Sequence, residues 1–75
     1  MPRQGDVHVV PTDTGWRVKV EGKTRPSGIH SRQEAAWAQA QRIARANKSE
    51  ALLHGRDGEI RERATYGRDQ VRSKG

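Results

Sequence analysis

Seventy-five residues with a hydrophobic fraction of 31% allow one domain with a thin core and leave little room for a large enclosed active site. There is no Phe and no Cys, so two Trp and one Tyr supply much of the large packing volume. Neither a disulfide nor a cysteine-based metal site is available as a staple, which makes a homodimer one way to complete the core. The net charge of +6 favours anionic partners, nucleic acid (DNA or RNA) first and acidic membrane second.

That charge is spread along the chain: +2 over residues 1–31, +2 over 32–50, zero over 51–65 and +2 over 66–75. A nucleic-acid footprint therefore has to be assembled by folding. The absence of Cys fits a reducing compartment, the first six residues hold no apolar stretch of the signal-peptide kind, and no later run approaches the roughly 20 apolar residues a bilayer span requires. The expectation is a cytoplasmic protein with no membrane partner.

In chain order, residues 1–6 are polar and read as a flexible N-terminus. Val7-His8-Val9-Val10 is a β-rich run stopped by Pro11, and Thr12-Asp13-Thr14-Gly15 is a turn cluster. The next strand, Trp16 to Glu21, places Trp16, Val18 and Val20 on one face and Arg17, Lys19 and Glu21 on the other, completing a hairpin. Residues 22–28, with Lys23, Arg25, Pro26 and two Gly, read as a loop. Ser31-Arg32-Gln33-Glu34 has the S-x-x-E form of a capping box, in which Ser31 bonds the Glu34 amide and Glu34 reaches back to the Ser31 amide.

A helix follows to about Asn47. At about 100° per residue, Ala36, Trp37, Ala40, Ile43 and Ala44 fall in one arc, while Glu34, Gln41, Arg42 and Arg45 lie away from it. An Ala-rich stripe lets such a helix sit close to a sheet. Ala51-Leu52-Leu53-His54, the turn Gly55-Arg56-Asp57-Gly58 and the strand from Glu59 to Tyr66 form a second hairpin around an Asp-Gly pair. Residues 68–75 have no periodicity and read as a disordered basic tail.

The words Val7-His8-Val9-Val10-Pro11, Gly15-Trp16-Arg17-Val18-Lys19, Glu34-Ala35-Ala36, Leu52-Leu53-His54-Gly55-Arg56-Asp57-Gly58-Glu59-Ile60 and Tyr66-Gly67 occur in an order that resembles a bacterial domain-of-unknown-function family, number 2188. The resemblance covers residues 7–67. Glu59 departs from it, since the family often has a basic residue there. The resemblance supports the ββαββ layout and implies no activity, cofactor or site residue.

The expected fold is α+β: two β-hairpins forming an antiparallel or mixed four-stranded sheet over residues 7–67, with one helix packed on one face. Arg17 and Lys19 alternate on one strand and Arg61 and Arg63 on another. If the two strands share a sheet, these four converge on the face away from the core as candidate phosphate contacts; otherwise they are solvating charge, with Glu21, Glu59 and Glu62 beside them.

Catalysis has little support, and no small-molecule substrate is evident. His8, His30 and His54 are separated by 22 and 24 residues, match no compact ligand motif and read as structural, with His54 bonding within its own hairpin turn. The turn at Gly55 lacks the pattern of a phosphate-binding loop. Ser31 is explained as a cap, and Trp16 and Trp37 fall on apolar faces as core. The chain therefore reads as a nonenzymatic module with no metal or cofactor, for which nucleic-acid binding and homo-oligomerisation are the two functions to weigh.

Overall fold

The computed structural model describes residues 5–67 and is α+β, with one helix and a five-stranded mixed sheet. The strands are β1 (Val7–Pro11), β2 (Trp16–Val20), β3 (Gly28–His30), β4 (Glu50–His54) and β5 (Ile60–Thr65), and the helix α1 (Gln33–Asn47) lies between β3 and β4. The basic tail expected at 68–75 and residues 1–4 lie outside the described residues.

The strand order is β3-β2-β1-β4-β5. Both expected hairpins form: β1 pairs antiparallel with β2, and β4 antiparallel with β5. They are joined by a parallel pairing of β1 with β4, in which Val7, His8 and Val9 stand opposite Ala51, Leu52 and Leu53. The connection through α1 makes this possible, since parallel neighbours need a long crossover. β4 is consequently interior, and its Ala51, Leu52 and Leu53 are all buried, as expected of a continuous apolar run rather than an alternating one.

Two expectations are corrected here. The sheet has five strands instead of four, because the end of the expected loop pairs with the edge of β2: Gly28 stands opposite Val18, Ile29 opposite Arg17 and His30 opposite Trp16. The capping box is also absent. Helix α1 is capped by Arg32, extended at φ −120° and ψ 143°, with no side-chain cap bond. Pairing of His30 with Trp16 holds the chain extended to the threshold of the helix, so the turn into α1 falls one residue beyond Ser31. Glu34 instead lies 3.9 Å from the Arg32 guanidinium.

The core sits between α1 and one face of the sheet. Val7, Val9, Val18, Val20, Ala51 and Leu53 meet Ala36, Ala40 and Ala44, all of them buried. Trp16, Trp37, Ile43, Ala64 and Tyr66 are only partly buried and pack around that centre, so the innermost contacts are between valines and alanines. The C-terminus of α1 closes on Lys48 in the left-handed region, with the Lys48 and Ser49 amides donating to the Arg45 and Ala44 carbonyls. Gly5 and Asp6 are pinned at this end: the Gly5 carbonyl accepts from the Ser49 hydroxyl at 2.7 Å, and the buried Asp6 carboxylate accepts from the Glu50 amide at 3.1 Å.

Candidate nucleic-acid interface

Residues opposite one another in a sheet share a face. Val9, Val18 and Leu53 face the helix, so their neighbours along each strand face away from it. The register then lays out the opposite face row by row. Lys19, His8, Leu52 and Arg63 form one row across β2, β1, β4 and β5, and Ile29, Arg17 and Val10 form another across β3, β2 and β1. Among the described residues no element packs on this face.

Three of the four expected cations are thus brought to one surface. Arg17 and Arg63 are exposed, and Lys19 is half-buried, its Nζ donating to the Lys23 carbonyl at 2.5 Å. The fourth, Arg61, is not in register with them. A bulge at the end of the β4–β5 ladder sets Ile60 opposite His54 and Glu62 opposite Leu53, leaving Arg61 as the extra residue. Its side chain lies against Gly55, with Nη2 3.6 Å from the Asp57 carboxylate. Asp57 also accepts the Glu59 amide at 3.1 Å, and Gly58 takes φ +88°, so the Asp-Gly turn is as expected.

The histidines depart from expectation most. His54 does not bond within its turn. Its Nε2 lies 2.9 Å from His8 Nδ1, and His8 Nε2 lies 2.9 Å from Glu21 Oε1. A carboxylate only accepts, so His8 carries its proton on Nε2. With His8 neutral, His54 donates from Nε2 to His8 Nδ1. Burial, and after it the neighbouring His8 ring, hold His54 below the usual histidine pKa. Glu21 just past the end of β2, His8 on β1 and His54 on β4 form a chain of two contacts, and no group of three or more His, Asp or Glu side chains among the described residues is placed to hold a metal ion. The only sequence signal for this chain was that His8 and His54 both sit on strands. Their pairing depends on the parallel β1–β4 contact, which no local pattern announces. His30 is separate, on the helix side, with Nε2 2.6 Å from Gln39 Oε1.

Between β1, β4 and β5 the same face is indented by a cleft of about 360 Å³. Leu52 is its centre, with His8 and Arg63 on the two neighbouring strands and Glu50 and His54 two residues away along β4. Asp6 and Ile60 complete the lining. Leu52 is only 5% exposed although no element covers it, because these side chains wall it in.

No described helix is long and apolar enough to cross a membrane. No solved structure matches the chain. A Bacillus subtilis (strain 168) relative, "Uncharacterized protein YdaT", is 33% identical over 60 residues, which are 80% of this chain and 40% of the relative, so the chain spans well under half of that relative's length. The family model described as "Uncharacterized protein conserved in bacteria (DUF2188)" matches residues 7–66. With most of the chain matched, and with the word order from Val7 to Tyr66 that the fold turns into paired strands and a helix, the protein belongs to the DUF2188 family.

Proposed function

We propose that this domain is a nonenzymatic nucleic-acid-binding module that holds phosphates on the sheet face away from α1. The observation that carries this reading is the gathering of Arg17, Lys19 and Arg63 on that face by the register. Lys19 and Arg63 are three strand steps apart, roughly 14 Å at about 4.8 Å per step. One phosphate cannot bridge that distance, whereas an extended backbone crossing the strands can. Glu21, bonded to His8, and Glu50, whose Oε2 accepts from the Thr65 hydroxyl at 3.4 Å, are carboxylates beside the patch and lower its positive potential without occupying the three cations. Phosphate contacts of this kind release counterions, so affinity falls steeply with salt.

The test is binding of labelled oligonucleotides across a salt series, with the triple variant R17E/K19E/R63E as control and circular dichroism to verify its fold. Binding that weakens with salt and drops at least tenfold in the variant is expected; unchanged binding in a folded variant removes the proposal.

Exposed apolar side chains favour a second reading, self-association. Ile29 at 65% and Ile60 at 47% exposure both lie on the face away from the helix. Sedimentation at two concentrations tests it: dimerisation lost in I29S/I60S supports a homodimer closed over this face, and a monomer at the higher concentration rules it out.

A further inference from the structure

Phosphate binding by the cations leaves the cleft unexplained. An apolar centre at Leu52 and Ile60 gives nothing to a phosphate, and the Glu50 carboxylate beside it repels one. The same surroundings suit a flat heterocycle. Leu52, Ile60 and the His54 ring offer apolar and π surface, a carboxylate accepts from an exocyclic amine as in base readout, and Arg63 stands at the cleft to hold the adjoining phosphate. The volume lies within the range of small-ligand sites, large enough for one base and too small for a base pair with its backbones.

We propose that the cleft receives one unpaired nucleobase carrying an exocyclic amine, so that the ligand of this domain is single-stranded nucleic acid, its base amine donating to Glu50 and its phosphates crossing Arg63, Lys19 and Arg17. The inference rests on the phosphate-binding reading above. In a duplex the base faces are stacked and the pairing edges are used, so a base enters only from an unpaired strand. Cytosine presents the N4 amine where uracil and thymine present a carbonyl oxygen, which opposes the Glu50 carboxylate. Asp6 is buried with Oδ1 taken by the Glu50 amide, whereas Glu50 is only partly buried and its long 3.4 Å contact with the Thr65 hydroxyl uses Oε2, so Glu50 Oε1 is the reading atom.

The experiment is fluorescence anisotropy with the whole chain and ten-nucleotide homopolymers of cytosine, uracil and thymine, in ribose and deoxyribose forms, beside a hairpin duplex at the same salt. Cytosine strands are expected to bind at least tenfold tighter than uracil or thymine strands and than the duplex. Either sugar form binding tighter supports the proposal and names the natural source. Glu50→Gln offers both an acceptor and a donor, so it should bring cytosine and uracil within about threefold while keeping the salt dependence. Ile60→Ser, which removes apolar surface from an already exposed position without adding charge, should weaken single strands and leave duplex binding unchanged. Equal binding of single strands and duplex, with neither variant altering it, overturns the base pocket and leaves phosphate binding standing. Absence of binding to every probe overturns both.

Discussion

His8 and His54 meet across the parallel β1–β4 step with Nδ1 and Nε2 2.9 Å apart and ring centroids at 5.1 Å. Forty-six residues separate them in the chain. The contact holds one hydrogen between two ring nitrogens, and Glu21 fixes the far side of His8. Protonation of both rings sets two N–H groups against each other and breaks the contact.

Stability should therefore fall on acidification. His54 is held below the usual histidine value, so the unfolded chain takes up its proton first as pH drops. The stabilising contribution is complete above the unfolded pKa of about 6.5 and is lost as pH falls from there through the folded value. Thermal melts should show a lower Tm at pH 5.5 than at pH 7.5, and His54→Gln should shrink the difference. A wild-type Tm that is flat or rises over this interval contradicts the assignment.

Gly15 marks a close approach of the β1–β2 turn to the end of β3. A Cβ there would run into the His30 carbonyl oxygen and Ser31 Cα, which are backbone atoms held by the pairing of His30 with Trp16. Gly15→Ala should cost about 1–3 kcal/mol in a urea melt, the range for forced overpacking. Gly58→Ala is the comparison: nothing lies within 4 Å of its Cβ, and its φ of +88° makes the cost one of backbone strain alone.

Among the described residues Lys48 is the non-glycine residue at positive φ, 55°, where the helix closes. A side chain in this conformation costs about 1–2 kcal/mol that glycine avoids. Lys48→Gly should raise stability by about 1 kcal/mol and leave the spectrum of the folded state unchanged. A loss of stability would mean that the lysine stem contributes packing that outweighs the strain.

Local patterns made most of the secondary structure legible. The valines of β1 and β2, the alanine stripe of α1 and the Asp-Gly turn each encode their element within a few residues. β3 was hidden because its three residues, Gly-Ile-His, contain no alternation and become a strand only against β2. The capping box failed for a related reason: the Ser31 position is set by strand pairing, which a four-residue motif does not record. The His8–His54 contact and the cleft around Leu52 both depend on one nonlocal event, the parallel alignment of β1 with β4. Before that alignment is known, a central leucine facing away from the helix looks like part of an ordinary buried strand.

Arg61 and Arg63 show where a period-two reading gives way, and they provide a paired test of the interface. Alternation alone puts both on one face, but the bulge substitutes Ile60 for Arg61 opposite His54 and leaves Arg61 over its own turn with Asp57. Both partners of that ion pair are more than half exposed, so it adds little to stability, and Arg61→Ala should change ΔG by under about 0.5 kcal/mol. It should also leave nucleic-acid affinity within about twofold of wild type. Arg63→Ala removes a cation beside the cleft and should lower the slope of log K against log salt by about 1. Equal losses in the two variants would show that only net charge matters, and that the register of the sheet does not choose the cations that touch phosphate.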